Sequence, residues 1–146
     1  MPFKLVTLCG SLRKNSVNRQ LLEALPGLAP QGWTFSGLSS LGEIPVYNQD
    51  IEDAEGFPKP VQDMCSSIRA ADGLVIASPE YNYGVSGVLK NALDWISRVS
   101  DQPFDGLPVS IMSASPSPMG GIRAQYPLRK IFVALKADLV PRPEVA

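Results

Sequence analysis

Short apolar runs alternate with segments of helical periodicity along most of the chain. Apolar runs of strand length occupy residues 4–9, 33–38, 73–77, 107–112 and 137–140. Apolar positions at helical spacing predict helices over residues 16–25, 60–71, 86–99 and 122–135, with a polar passage over 39–59. Because the strands are apolar on both faces, we predict an α/β fold in which a parallel sheet lies between two helix layers.

Five strands joined by right-handed crossovers favour a three-layer, doubly wound sheet of flavodoxin-like order 2-1-3-4-5. No internal repeat or linker divides residues 1–146, so we expect a single domain. Loops follow the first, third and fourth strands at residues 10–16, 78–84 and 113–121. Since the carboxyl ends of parallel strands share one edge, these loops should meet at the switch point and form a ligand site.

The first of these loops resembles an anion-binding turn from a strand into a helix. The first N–H groups of a helix lack internal partners and lie at the positive end of its dipole. Ser11, Ser16 and Asn18 add hydrogen-bond donors, and the guanidinium of Arg13 can donate hydrogen bonds to two phosphate oxygens at once. The stretch lacks both the G-x-G-x-x-G and the G-x-x-x-x-G-K-[ST] patterns, which favours a single phosphate. The alternative is that Asn15 or Ser16 only caps the helix.

The second loop offers flat side chains and hydrogen-bonding groups close together. Pro79, Tyr81 and Tyr83 can stack on a ring, and Asn82 can bond its edge. A mononucleotide with a large planar head fits both loops, although the two tyrosines are also consistent with surface or interface packing.

The amino-acid composition excludes several classes of function and of binding site. The net charge is −1 with 13 basic residues scattered along the chain, which excludes a nucleic-acid role. No apolar run spans a membrane or forms a signal peptide, so we expect a cytoplasmic protein without a membrane partner. The absence of histidine removes the usual imidazole base, zinc ligand and nucleophile pairs. Cys9 and Cys65 have no metal-ligand spacing and are expected to be small buried residues, so no metal site is predicted.

Four segments in order resemble the NAD(P)H-dependent FMN reductases, in particular the chromate and quinone reductases. They are the stretches that begin at Gly10, Pro79, Leu89 and Gly120, and the resemblance runs from residue 4 to about residue 144. It implies a flavodoxin-like fold with the FMN phosphate in the first loop, the isoalloxazine against the second and a ring edge near the third. The implied cofactor-binding residues are Ser11, Arg13, Asn15, Ser16, Val17, Asn18, Pro79, Glu80, Tyr81, Asn82, Tyr83, Ser113 and Ser115.

The resemblance also implies an activity. Hydride would pass from NADPH or NADH through FMN to a quinone, chromate or a similar small-molecule acceptor, with no catalytic acid or base from the protein. A non-enzymatic flavodoxin-type electron carrier or FMN-binding module is the alternative, although such carriers are usually strongly acidic. A low-molecular-weight tyrosine phosphatase is excluded because its arginine, six positions after the loop cysteine, is replaced here by Asn15.

Two expectations concern assembly. Leu89, Leu93, Trp95 and Ile96 give the third helix more apolar surface than one sheet face needs, which predicts a homodimer through that helix. The resemblance implies that dimers pair into a tetramer through the positions of Arg123, Tyr126 and Glu144. The alternative is that Arg123 and Tyr126 only cover the fourth helix.

Two further expectations concern helices. Lys90, Asn91 and Asp94 either hold the second loop or form a solvated helix face. The resembling enzymes continue after the fifth strand into a final helix, which the printed sequence, ending at Ala146, does not include. A doubly wound sheet without one covering helix exposes an apolar face, so we expect either instability or a compensating contact.

Overall fold

Five parallel strands form the central sheet of the computed structural model, which describes residues 2–146. The sheet order is β2-β1-β3-β6-β7. Since the remaining two strands pair only with each other, this is the predicted order 2-1-3-4-5. The strands of the main sheet are β1 (Lys4–Cys9), β2 (Thr34–Gly37), β3 (Gly73–Ala77), β6 (Pro108–Met112) and β7 (Asp138–Leu139), and the separate pair is β4 (Glu80–Tyr81) with β5 (Gly84–Val85).

Helices cover the two faces of the sheet unequally. The helices are α1 (Val17–Leu28), α2 (Gln49–Glu55), α3 (Lys59–Arg69), α4 (Gly87–Ser97) and α5 (Ile122–Ala134). Side chains of α3, α4 and α5 form one large core with Val6, Leu74 and Ile111. On the opposite face, α1 packs on a smaller cluster that includes Val75 and Met112. The predicted three-layer fold is confirmed, with a thin layer on the α1 side.

An open apolar groove lies beside α1 on the thin side. Its volume is about 390 Å³, and Leu25, Trp33, Val75, Met112 and Val140 are among its lining residues. Trp33 and Val140 are only partly covered, and Leu28, at the end of α1, is 82% exposed. Pro108 of β6 and Val140, just after β7, therefore remain exposed on this side of the sheet, where no helix among residues 2–146 covers them.

The structure extends α1 beyond the predicted end and adds a helix, α2, within the polar passage. α1 continues through Pro26 to Leu28, whereas a stop at Pro26 was predicted. Proline removes one N–H and one helical hydrogen bond, and the last turn still closes through the bond from Ala29 N–H to the carbonyl of Leu25 (3.0 Å). Within the polar passage, α2 begins where the Asn48 side chain accepts a hydrogen bond from Asp50 N–H (2.9 Å), and a 3₁₀ turn covers Leu41–Glu43.

The apolar side of α4 is covered by this polar passage of the same chain. Trp95 is fully buried, makes edge contacts with Tyr47 and Phe57, and donates a hydrogen bond to the carbonyl of Pro45 (2.8 Å). Leu89, Leu93 and Ile96 are equally buried. The premise that α4 carries surplus apolar surface was wrong, because residues 44–57 fold back over it.

The polar residues of α4 do not hold the second loop. Asn91 accepts a hydrogen bond from Tyr47 N–H (2.8 Å) and donates one to the carbonyl of Pro45 (2.9 Å). Lys90 and Asp94 pair with each other on the exposed surface (2.6 Å). The interpretation of Lys90 and Asp94 as a solvated helix face was correct, and Asn91 instead fastens the polar passage.

Candidate cofactor site

The first loop leaves β1 in close contact with the second. A Cβ atom on Gly10 would lie 3.1 Å from the Leu89 side chain, 3.2 Å from Pro79 and 3.3 Å from the backbone of Ser78. Gly10 N–H donates to the carbonyl of Ala77 (2.8 Å), and its own carbonyl accepts from the buried hydroxyl of Ser86 (2.6 Å). A side chain at this position would press on its neighbours in both segments, so glycine allows the two loops to approach this closely.

Backbone N–H groups without hydrogen-bond partners lie where this loop enters α1. Ser16 caps the helix, because its hydroxyl oxygen accepts from Arg19 N–H (3.3 Å), so the capping alternative is correct for Ser16. Among residues 2–146, however, the backbone N–H groups of Asn15, Val17 and Asn18 have no hydrogen-bond partner. Capping and anion binding are therefore compatible, because the cap uses one donor and leaves the others open.

Arg13 adds a positive charge at the same place. Its guanidinium donates to the carbonyl of Asn15 (3.2 Å), and its backbone N–H donates to the hydroxyl oxygen of Ser11 (3.3 Å). No carboxylate within residues 2–146 forms a salt bridge with Arg13. The loop therefore combines open N–H donors, two serine hydroxyls and an unpaired cation, which is the donor set that a phosphate monoester requires.

The second loop is a tight hairpin, a feature absent from the sequence prediction. β4 and β5 pair antiparallel, and both turn residues have positive φ, +51° at Asn82 and +64° at Tyr83. Positive φ at both positions is the pattern of a type I′ turn, which asparagine tolerates and tyrosine adopts only at a cost of about 1–2 kcal/mol. The turn holds Tyr81 and Tyr83 in solvent, 53% and 69% exposed.

Glu80 anchors the hairpin to α5. Its carboxylate accepts a hydrogen bond from Arg123 N–H (2.9 Å), in the first turn of that helix. The side chain of Arg123 stacks on Tyr83 from the same helix. The carboxylate of Glu80 therefore has a structural partner, and its backbone remains as the part available to a flat ligand.

The third loop starts from a buried polar cluster. Ser113 is 1% exposed, and its hydroxyl accepts from the buried amide of Gln125 (2.8 Å), which also donates to the carbonyl of Val145 (2.7 Å). A Cβ on Gly121 would lie 3.1 Å from Ser113, and Gly121 has φ +88°, so only glycine fits. Ser113 faces the protein, whereas Ser115 is partly exposed and pairs with Ser117 (2.7 Å).

The structure brings all three predicted loops to the carboxyl edge of the sheet. Asn18, in α1, bonds Ala114 in the third loop, and Gly10 contacts the second loop directly. Sequence reasoning missed Ser86 and Gln125 as supports of these loops. For Ser86 the signal was its place as the first residue of a predicted helix, whereas the contacts of Gln125 depend on residues far away in the chain.

The sequence model of the NADPH-dependent FMN reductase family matches residues 3–146. The chain belongs to this family. The quinone reductase of Escherichia coli (strain K12) is 48% identical over 141 residues, which cover 97% of this chain and 75% of that protein. The NAD(P)H-dependent FMN reductase of Pseudomonas aeruginosa is 46% identical over 142 residues, covering 97% of this chain and 76% of that protein.

A solved structure supports the same assignment. FerB, a flavoenzyme NAD(P)H:(acceptor) oxidoreductase from Paracoccus denitrificans, superposes with a TM-score of 0.88 at 30% identity. The match covers 98% of this chain and 78% of FerB. The predicted family and flavodoxin-like fold are confirmed, as is the prediction of an FMN-dependent oxidoreductase that uses NAD(P)H.

The donor set of this FMN reductase fits its family's cofactor. One phosphate matches the three open N–H groups and Arg13, and the exposed tyrosine hairpin suits a flat ring system.

Within residues 2–146, no cluster of three or more His, Cys, Asp or Glu side chains has the geometry to hold a metal. None of the helices in that range is long and apolar enough to cross a membrane.

Proposed function

We propose that this protein reduces quinones with electrons from NADPH or NADH, using FMN held at the carboxyl edge of the sheet. The observation that carries the proposal is the meeting of an unpaired cation and open helix N–H groups with an exposed aromatic hairpin. The name of the Escherichia coli relative supports a quinone as acceptor. Chromate is a second acceptor that the resemblance implies.

Each loop takes one part of the cofactor in this proposal. The phosphate binds the three open N–H groups of Asn15, Val17 and Asn18. The hydroxyls of Ser11 and Ser16 and the guanidinium of Arg13 complete its donors. The hairpin from Pro79 to Tyr83 supports one side of the isoalloxazine. Ser115 and the backbone beside Ser113 contact the ring edge, because the Ser113 hydroxyl is turned inward toward Gln125.

The protein's part in the reaction is to bind and orient. FMN, when bound, supplies the hydride chemistry between the nicotinamide and the quinone. The exposed edge formed by Tyr81 and Tyr83 leaves room for a planar partner to stack, so donor and acceptor can use the same surface in turn. Residues 1–146 contain no histidine, so none of them supplies an imidazole for proton transfer.

Turnover with a quinone separates this function from that of an electron carrier. Purified protein loaded with FMN should oxidise NADPH many times per flavin when benzoquinone is in excess, and Arg13→Ala should lose FMN about ten- to a hundredfold more readily. A control variant, Lys14→Ala, leaves the guanidinium in place. If NADPH reduces the flavin once but no sustained turnover follows with any quinone, the protein is a carrier or a binding module.

Self-association is the second part of the proposal. We propose a homodimer that pairs into a dimer of dimers, with Arg123, Tyr126 and Glu144 at the second interface, as the resemblance implies. Tyr126 is 52% exposed and lies on the same helix as Arg123, and exposed aromatic residues favour interfaces. Light scattering at micromolar concentration should give multiples of 15.7 kDa, and a monomer with FMN bound would refute the proposed self-association.

A further inference from the structure

A buried side chain joins two of the three cofactor loops. Asn18 is 3% exposed, and its amide group makes two hydrogen bonds to one residue of the third loop. Its Nδ2 donates to the carbonyl of Ala114 (3.0 Å), and its Oδ1 accepts from Ala114 N–H (2.9 Å). The two residues are 96 positions apart. A paired amide contact of this kind fixes both distance and orientation between the segments that carry it.

The two ends of this contact belong to different halves of the site. The backbone N–H of Asn18 is one of the open donors at the start of α1, where the phosphate is proposed to bind. Ala114 lies between Ser113 and Ser115, where the ring edge is proposed to lie. On its other side this loop is held by Gln125, which bonds Ser113 (2.8 Å). The start of the third loop is thus fixed from α1 and from α5.

We propose that the Asn18 side chain is a positioning residue that sets the third loop against the isoalloxazine, and not a ligand of the phosphate. This inference rests on the proposed function for its ligand. Both polar atoms of Asn18 are already satisfied by Ala114, so the side chain has little left to offer an anion. Without it, the third loop loses one of its two supports and must be ordered each time a ring binds.

Three probes separate positioning from phosphate binding. Riboflavin uses only the ring half of the site, inorganic phosphate uses only the α1 half, and FMN uses both. With Asn18→Ala, the affinities for riboflavin and FMN should fall by the same factor, about tenfold for two neutral hydrogen bonds, while that for phosphate changes less than about twofold. Flavin fluorescence gives the first two affinities and calorimetry the third. Gln20→Ala, an exposed amide of the same helix, is the matched control and should change none of them.

The opposite pattern overturns the proposal. If phosphate and FMN bind more weakly while riboflavin is unaffected, Asn18 is a phosphate ligand; if no affinity changes, it has neither role. Should Asn18→Ala fail to fold, Asn18→Asp keeps the acceptor for Ala114 N–H, and unchanged riboflavin binding in that variant contradicts the proposal.

Amide exchange tests the same contact without any flavin. Exchange at Ala114 should be slow in the wild-type protein and faster in Asn18→Ala, and equal rates also overturn the proposal. A wild-type protein that binds no FMN refutes the proposed function, while this exchange measurement still tests the contact.

Discussion

The guanidinium of Arg123 lies over the ring of Tyr83, with its central carbon 4.4 Å from the ring centroid. The backbone N–H of the same arginine donates to the carboxylate of Glu80 (2.9 Å), so one residue of α5 holds both the first strand and the turn of the hairpin. The second loop therefore depends on α5 for its shape, although its sequence lies next to β3.

Replacing Arg123 with alanine removes the stacking contact and leaves the backbone bond to Glu80. An exposed cation–π contact contributes about 0.5–1 kcal/mol, so we expect FMN to bind about two- to fivefold more weakly. Fluorescence titration measures the change. Lys130→Ala removes an exposed cation from the same helix and should leave FMN affinity at the wild-type value. Equal losses in the two variants would mean that net charge, and not the Tyr83 contact, matters.

The turn at Asn82 should tolerate glycine better than alanine. Asn82 has φ +51°, a conformation that glycine adopts freely and that costs alanine about 1 kcal/mol or more. We expect Asn82→Ala to lower the free energy of unfolding by about 1 kcal/mol and Asn82→Gly to leave it nearly unchanged. Urea denaturation measures both values. Equal stabilities would show that the hairpin relaxes at little cost.

Ser86 should contribute to both stability and FMN binding, although it lies far from the first loop in the sequence. Its buried hydroxyl donates to the carbonyl of Gly10 (2.6 Å), and Ser86→Ala leaves that carbonyl without a partner. The expected loss in the free energy of unfolding is about 1–3 kcal/mol, accompanied by weaker FMN binding because the first loop shifts. Ser100→Ala, at an exposed serine, is the control. Wild-type stability in Ser86→Ala would exclude this support.

The two thiols should react at different rates. Cys65 is 2% exposed, and burial raises the pKa of its thiol, so less thiolate is present at mildly alkaline pH. Cys9 is partly exposed. In native protein, a disulfide reagent such as dithionitrobenzoate should label Cys9 first and Cys65 only on unfolding. Cys9→Ser should remove the fast phase, and a fast phase that persists would contradict the burial of Cys65.

The sheet order and the three loops were predictable because they depend on local patterns. Apolar runs such as Gly73–Ala77 identify buried strands, and one topological rule then brings their following loops together. The proposal that the first loop binds an anion also rests on a local pattern, since Arg13 and Ser16 lie beside the start of α1.

Contacts between distant segments were not predictable in the same way. Trp95 appeared to be surplus apolar surface because nothing in the residues near it shows that Pro45 and Tyr47 fold over it. α2 has no fully buried residue and no apolar periodicity. Besides the packing of Ile51 on the core, its helical state depends on the Asn48 cap and on the contact between Glu52 and Arg98 (3.2 Å). Ser113 is turned inward because its hydroxyl accepts a hydrogen bond from the Gln125 amide. No sequence pattern relates these two positions, so the contact was not predictable.

Because α1 forms only a thin layer on its side of the sheet, the stability of this helix should depend on whether FMN is bound. α1 buries only Asn18 and Leu22, whereas α4 buries five residues, so amides of α1 should exchange faster than those of α4 in the apoprotein. FMN at about 100 times its Kd would stabilise the folded state by about 2.7 kcal/mol and should slow exchange in α1 most, where its phosphate is proposed to bind. Uniform slowing across the chain would contradict this.

With the FMN phosphate at α1, as proposed, loss of FMN would first open the helix to which the next FMN molecule has to bind. Proteases act on opened chains, so the supply of flavin in the cell would set how much of the protein persists.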